Sequence, residues 1–353
     1  MRALILIGGE GTRLRPLTLN TLKCTAPIVN RPFFMYQFDL LKKYGVKEVI
    51  LSICHMPDKI KKYIGTGKKY DLKIIYVQEK KPLGTGGAIK NAEKFLSEDT
   101  IVMNGDVLTD VNLKKMLSMH KRTDAIATIM LNEVMDPSAY GLVQTDGIKI
   151  TKFIEKPSWA DIQDRWINAG IYIFNKRVLN YIPAGKNVSL EREVFPKMIN
   201  NGEVLIAYKS KGYWIDIGKI DKYRQVNFDL LENRFKTDVF MKQKKYNNEV
   251  YIGKNTKIDK DASLRGPIVI GNNCIIKSGT YEPLVIIGNN CKINENVVIE
   301  KSILWDNIHI GKNVSIKNSI IGNGCIIKDN SILNEVVLGD NTVITEHSKL
   351  GHK

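Results

Sequence analysis

Ile252-Gly253-Lys254-Asn255-Thr256-Lys257-Ile258 opens a series of six short segments written to one pattern. The others are IGNNCII from Ile270, IGNNCKI from Ile287, IGKNVSI from Ile310, IGNGCII from Ile321 and LGDNTVI from Leu338. Each places an aliphatic residue before the glycine and another six positions on, and Gly253 and Gly271 stand 18 positions apart, or three hexapeptides. A repeat of this kind means stacked coils. Six-residue strands that fill the inside of a triangular prism with aliphatic side chains make a left-handed parallel β-helix. Its hand departs from the usual right-handed crossover because successive strands lie on different faces. About five or six coils fit in the last ~100 residues. Cys274, Cys291 and Cys325 align with Thr256, Val314 and Thr342, a position that wants a small, half-buried side chain rather than a ligand or nucleophile.

Before the repeats the texture differs. Apolar runs at Ala3–Ile7, Glu48–Ile53, Leu72–Val77 and Thr100–Asn104 alternate with helical patterns near Pro32–Lys43, Lys59–Ile64 and Gly87–Leu96. Strand alternating with helix means a mostly parallel sheet covered on both faces. Runs at Ala125–Leu131, Leu142–Thr145, Lys149–Ile154 and Ala169–Phe174 add an antiparallel excursion. Ile220–Phe235 carries apolar residues at helical spacing, and the polar Lys242–Asn248 reads as a linker. The expected domains are therefore residues 1–240, α/β, and residues 241–353, the β-helix.

Composition narrows the function classes. With 353 residues, 43% hydrophobic and 25% charged, the chain is an ordinary globular protein, and no apolar run approaches the ~20 residues of a membrane span. No membrane association is expected. The first residues are too short an apolar run for a secretion signal, and five cysteines without a C-x-x-C pair suggest reduced thiols, so the cytoplasm is the expected compartment. The net charge is +16, with 41 basic and 27 acidic residues before Tyr251 against 12 and 10 from there on. The lysines of the first part are scattered and not interleaved with aromatics, so no nucleic-acid partner is expected. A basic pocket for phosphorylated small molecules needs only a few of them.

The first strand runs into Gly8-Gly9-Glu10-Gly11-Thr12-Arg13-Leu14-Arg15-Pro16-Leu17-Thr18, with Lys23 shortly after. Glycines directly after a buried strand let backbone N–H groups approach an anion, and the basic residues supply charge for phosphate oxygens. No Gly-Lys-Ser/Thr follows, so this is not a Walker loop. Asp106 ends the apolar run at Asn104-Gly105-Asp106, a position where open sheets present ligand groups and where a carboxylate suits Mg²⁺. A strand-end Asp in a turn is the plainer alternative. Asp216 sits in Tyr213-Trp214-Ile215-Asp216-Ile217, where an unpaired carboxylate would be costly and a shared cation would remove the cost.

Taken together, GGEGTRLRPLT, Lys23, Glu79 with Pro82–Gly87, Asn104-Gly105-Asp106, Tyr140-Gly141-Leu142, Phe153–Pro157, Asn168-Ala169-Gly170, SLEREVFP at Ser189–Pro196 and Gly212–Gly218 resemble, in order and over the whole chain, the sugar-1-phosphate nucleotidyltransferases. INAGIYI, SLEREVFP and the length of the β-helix are most similar to mannose-1-phosphate guanylyltransferases. The resemblance implies a Rossmann-like mixed-sheet catalytic domain followed by the β-helix. It implies transfer of a nucleotidyl group from a nucleoside triphosphate, GTP above others, to a sugar 1-phosphate. Glucose-1-phosphate thymidylyl or uridylyl transfer and a catalytically silent regulatory subunit are the alternatives.

By the same resemblance Gly8, Gly9, Gly11, Thr12, Glu79, Leu83, Gly84 and Thr85 hold the nucleotide. Gly141, Glu155, Lys156, Asn168 and Gly170 hold the sugar phosphate, Arg13, Lys23 and Lys156 carry the catalysis, and Asp106 and Asp216 bind Mg²⁺. Glu79 reads equally as a solvated loop charge beside Lys80 and Lys81, and Glu155-Lys156 as a surface ion pair before a turn. The edges of a stacked-coil domain favour self-association, so a homo-oligomer is expected.

Overall fold

The computed structural model describes residues 1–155, 157–158, 162, 164–235, 244–247 and 249–351. The chain forms two compact units, one of Met1–Gly9 with Phe34–Asp216, the other of Glu10–Phe33 with Ile217–Lys353.

The first unit is built on a nine-stranded sheet. Across it lie Lys73–Gln78, Glu48–Ile53, Arg2–Leu6, Asp99–Asn104, Trp166–Asn175, Ala127–Glu133, Leu205–Ser210, Lys149–Glu155 and Gly141–Asp146. The first four are mutually parallel, and Trp166–Asn175 runs antiparallel to the neighbour on either side. Continuous apolar sequences such as EVILSI at Glu48–Ile53 are what a strand covered on both faces requires. Helix Phe34–Lys43 buries Phe34, Phe38 and Leu41, spaced at i, i+4 and i+7, and sets the Phe34 and Phe38 rings edge to face at 5.0 Å. Helix Leu113–Arg122 starts where Asn112 Oδ1 accepts from Lys115 N (3.0 Å).

In the second unit six coils of three short strands each stack into three parallel sheets, with Ile, Val and Cys side chains packed inside. In the sheet that contains Val250–Ile252 the register is offset by 18 residues at the first step (Val250↔Ile268) and by 17 thereafter (Ile268↔Val285, Ile303↔Ile320, Ile320↔Val337). The repeat letters have a plain cause. Asn255, Asn273, Asn290, Asn307, Gly324 and Asn341 occupy the same corner of successive coils, all with φ between 56° and 67°, the left-handed region that Asn and Gly tolerate best. Asn273 Nδ2 donates to Asn290 Oδ1 and Asn290 Nδ2 to Asn307 Oδ1, each at 3.2 Å.

Two expectations are corrected by this register. The Ile310–Ile316 segment turns a different corner, since its first residue lies in the second sheet rather than the first. The equivalent of glycine in that coil is Trp305, and Val314 is not aligned with the cysteines. The cysteines are also fully buried rather than half-buried: Cys274, Cys291 and Cys325 donate from Sγ to the carbonyls of Gly288, Trp305 and Gly339 at 3.1, 3.3 and 3.1 Å. Of the expected linker, Lys244–Asn247 form a strand antiparallel to Val250–Ile252. Its remaining residues, 242, 243 and 248, lie outside the described residues.

Helix Ile220–Leu231 belongs with the coils. Trp305 is almost fully buried, and its Nε1 donates to the Tyr223 hydroxyl at 2.9 Å. That hydroxyl donates to the Pro27 carbonyl. Among the described residues no helix is long and apolar enough to cross a membrane.

Candidate active site

In the first unit, Arg2–Leu6 and Asp99–Asn104 are paired from Arg2↔Thr100 to Leu6↔Asn104, so their carboxyl ends present Gly8-Gly9 and Gly105-Asp106 side by side. Gly105 N donates to the Leu6 carbonyl at 2.9 Å, and a Cβ there would come within 2.2 Å of Ile7 Cγ2. Trp214–Asp216 pairs antiparallel with Val107–Thr109, which sets Asp216 opposite Val107, the residue next to Asp106. Both carboxylates are half-buried.

Gln37, 1% exposed, donates from Nε2 to the carbonyls of Asn104 (2.8 Å) and Val107 (3.0 Å), clamping both sides of the turn that carries Asp106. Reading the sequence missed it. Its signal was a polar residue between Tyr36 and Phe38 on an otherwise apolar helix face. Among the described residues no group of three or more His, Cys, Asp or Glu is placed to hold a metal. An all-oxygen pair such as Asp106 and Asp216 fits a hard divalent cation that takes its other ligands from water and phosphate.

The Asn168–Gly170 segment lies in the same neighbourhood. The pairing of Trp166–Asn175 with Ala127–Glu133 shifts register between Asn168 and Tyr172. At the shift Gly170 has φ +72°, and a Cβ on it would meet Asn104 Nδ2 at 2.5 Å, so only glycine fits. Trp214 Nε1 donates to the Ala169 carbonyl at 2.9 Å, so the strand that carries Asp216 also holds this bulge. A Cβ on Gly141 would lie 3.0 Å from Glu155 Oε2 and 3.8 Å from Asn168 Cβ. Gly141, Glu155, Asn168 and Gly170 are thus brought together. Lys156 lies outside the described residues.

Glu79 is no solvated loop charge. At 6% exposure its Oε1 accepts from Ser52 Oγ (3.0 Å) and its Oε2 from Leu83 N (3.1 Å), and a Cβ on Gly8 would lie 3.2 Å from Oε1. The carboxylate therefore ties the Gly8 turn to the segment Leu83-Gly84-Thr85. Gly84 has φ +69°, with the Val188 carbonyl where its Cβ would be. Gly86 N donates to that carbonyl at 2.9 Å, and Val188 N donates back to the Leu83 carbonyl at 2.9 Å.

Gly11, Thr12, Arg13 and Lys23 belong to the second unit. Gly11 is left-handed (φ +68°), Thr18 Oγ1 donates to its carbonyl at 2.7 Å, and a Cβ on it would touch Lys23 Cβ at 3.1 Å. The loop is thereby folded back on itself, with exposed Arg13 on the turn Thr12–Leu14 and half-buried Lys23 on the turn Lys23–Thr25. Burial pushes the neighbouring Cys24 thiol up to about 12, which removes it as a nucleophile. The loop is seated on the coils. Thr21 Oγ1 donates to Asp340 Oδ2 (3.2 Å), Asn30 Nδ2 to the Ile287 carbonyl (2.6 Å), and Pro16 Cβ would lie 3.2 Å from a Cβ on Gly339.

Comparison with known proteins places these features. Residues 2–233 match the family model described as nucleotidyl transferase, and residues 247–350 that described as the EIF2B subunit epsilon left-handed β-helix (LbH) domain. The coils are accordingly left-handed. The chain is 36% identical over 281 residues to a mannose-1-phosphate guanylyltransferase of Mycobacterium tuberculosis, covering 79% of this chain and 77% of that one. It is 32% identical over 312 residues to a UTP–glucose-1-phosphate uridylyltransferase of Synechocystis, covering 79% and 80%. Among solved structures, HddC of Yersinia pseudotuberculosis complexed with GMP-PN is similar with a TM-score of 0.56 and 32% identity, over 65% of this chain and 99% of that one. Enzymes of this kind generally use a divalent metal. On the matched model and on these relatives, the chain belongs to the nucleotidyl transferase family.

Proposed function

We propose that this sugar-1-phosphate nucleotidyltransferase transfers the guanylyl group of GTP to mannose 1-phosphate, giving GDP-mannose and pyrophosphate. The substrate pair rests on one observation, the 36% identity over most of both chains to a mannose-1-phosphate guanylyltransferase. A second reading, UTP with glucose 1-phosphate, is favoured by the uridylyltransferase relative at 32%.

A phosphate oxygen of the sugar 1-phosphate attacks the α-phosphorus of the triphosphate in line. The bond from that phosphorus to the bridging oxygen breaks, and its electron pair leaves with pyrophosphate. The nucleophile is already an anion, so the step needs orientation and charge rather than a general base. Backbone N–H groups at Gly8, Gly9, Gly11 and Thr12, with Arg13 and Lys23, are assigned to the triphosphate. Glu79, Leu83, Gly84 and Thr85 take the base. Lys156 meets the incoming phosphate, and Gly141, Glu155, Asn168 and Gly170 take the sugar hydroxyls. Asp106 and Asp216 would hold Mg²⁺, whose charge offsets that building up on the transferred phosphoryl group and on pyrophosphate.

The catalytic and β-helix domains are assigned to either side of a boundary near residue 240, between the spans matched by the two family models. A homo-oligomer in the cytoplasm, where nucleoside triphosphates and reducing conditions coincide, completes the reading. A matrix of nucleoside triphosphates against sugar 1-phosphates, with pyrophosphate release as the readout, tests it. GTP with mannose 1-phosphate should exceed every other pair, and a preference for UTP or dTTP with glucose 1-phosphate would overturn the substrate assignment.

A further inference from the structure

The Ser189–Pro196 motif has no part in the scheme above, yet one of its carboxylates bonds to the nucleotide segment at Thr85 and reaches the sugar segment through Tyr172. Leu190–Val194 is a π-helical turn, a rare geometry found disproportionately at functional sites, and its N-cap Ser189 accepts from Arg192 N through Oγ (3.2 Å). The turn places Glu191 with Oε2 accepting from Thr85 Oγ1 (3.1 Å) and Ser189 Oγ (2.9 Å), and Oε1 accepting from the Tyr172 hydroxyl (3.3 Å). Thr85 Oγ1 itself accepts from Leu190 N (2.9 Å), so its one proton is committed to Glu191.

On the other side, the wholly buried Tyr172 hydroxyl accepts from Asn168 Nδ2 (2.8 Å), and Asn168 Oδ1 accepts from Gly170 N (3.1 Å). A carboxylate has no proton to give, so the polarity of the whole chain of bonds follows from Glu191. Tyr172 must donate to it, must then accept from Asn168, and the Asn168 amide is held with its oxygen toward Gly170. Burial first, and the Glu191 charge after it, hold the Tyr172 phenol well above its usual range, which keeps it a donor at every physiological pH.

We infer that Glu191 is a positioning residue that couples the two substrate sites, setting the Thr85 hydroxyl on the nucleotide side and the Asn168 amide on the sugar side from one carboxylate. The inference rests on the assignment, made above, of Leu83–Thr85 to the nucleotide and Asn168–Gly170 to the sugar. Glu191→Gln keeps the shape but leaves a single acceptor oxygen for hydroxyls that approach from both sides, so the amide serves Thr85 and Tyr172 only by turns and neither segment keeps its fixed orientation.

The test is a set of Michaelis constants for both substrates in the wild type, Glu191→Gln, Tyr172→Phe and Asn168→Ala. Glu191→Gln should raise both constants about five- to tenfold with a smaller effect on kcat. Tyr172→Phe and Asn168→Ala should raise that of the sugar phosphate alone. An unchanged sugar-phosphate constant in Asn168→Ala would overturn the assignment of the segment and the coupling with it. An Asn168→Ala that behaves as expected beside a Glu191→Gln that moves only one constant, or neither, would overturn the coupling alone. Should Glu191→Gln not fold, the cycle of Thr85→Val and Tyr172→Phe decides: losses in kcat/KM that fail to add support the coupling, and additive losses contradict it.

Discussion

Asp340 accepts a hydrogen bond from Thr21 Oγ1 at 3.2 Å, across 319 positions of sequence. Asp340 also ends a ladder: Asn272 donates to Asn289 Oδ1, Asn289 to Asp306 Oδ1, Asp306 N to Asn323 Oδ1 and Asn323 N to Asp340 Oδ1. The coils therefore support the loop assigned to the triphosphate, and are more than aliphatic stacks for assembly. Asp340→Ala should lower kcat/KM for the triphosphate about 2- to 12-fold, the worth of an ordinary intramolecular hydrogen bond, while the melting temperature changes little. Steady-state kinetics with the triphosphate varied checks this, and Asp340→Asn, whose amide oxygen keeps the bond from Asn323 N while its NH2 donates to the Thr21 hydroxyl, should restore most of the loss.

Asp216→Asn should leave the fold intact and lower the rate on the order of 10²–10⁴, because one of two metal carboxylates is lost. Asp106→Asn should behave alike, and the double variant should lose less than the product of the two, since they act as a unit. Rates titrated with Mg²⁺ are the check: a wild-type rate at any Mg²⁺ concentration removes Asp216 from the site.

The repeat was legible because each coil corner demands a left-handed residue, and Asn or Gly writes that demand into the sequence. The parallel strands were legible for a similar reason, since burial on both faces spells apolar runs like Glu48–Ile53. The coil at Leu304 went unread because Trp305 replaces the glycine there, and its indole is buried on Tyr223. Gln37 and Glu191 escaped for a different reason. Their roles are hydrogen bonds to residues 67 and 106 positions away, and no local periodicity records such pairings. The resemblance makes the segment around Glu79 base-contacting, but burial of its carboxylate on Ser52 and Leu83 shows only once the strand carrying Ser52 and the helix start at Leu83 are placed.

Glu79→Gln replaces one of two buried acceptors by a donor that faces either the Ser52 hydroxyl or Leu83 N–H. Leaving that group unpaired should cost about 1–3 kcal/mol of stability. Discrimination between GTP and the other triphosphates should weaken at the same time, because the Leu83–Thr85 segment loses its anchor. Chemical denaturation alongside the substrate matrix measures both, and a variant as stable and as selective as the wild type would show that the carboxylate holds nothing.

His120 gives the fold a pH dependence. Its ring is 2% exposed, with Nδ1 2.8 Å from Thr128 Oγ1 and Nε2 3.4 Å from Asp99 Oδ1, an arrangement the neutral ring satisfies by accepting at one nitrogen and donating at the other. Burial outweighs the pull of Asp99 and lowers its pKa from 6.5. The folded form thus favours the neutral ring, and this contribution is complete above the unfolded value and is lost as pH falls through the lowered one. Melting temperatures of the wild type should drop on acidification below about pH 6.5 more steeply than those of His120→Asn. Parallel curves would mean that His120 does not titrate on unfolding in this range.

The reaction itself is tested most directly by following phosphorus. With GTP labelled at the α-phosphate and mannose 1-phosphate present, the account predicts label in GDP-mannose and none in pyrophosphate, with transfer lost in Asp216→Asn. Label appearing only in GMP or GDP, or transfer that persists undiminished in Asp216→Asn, would contradict it.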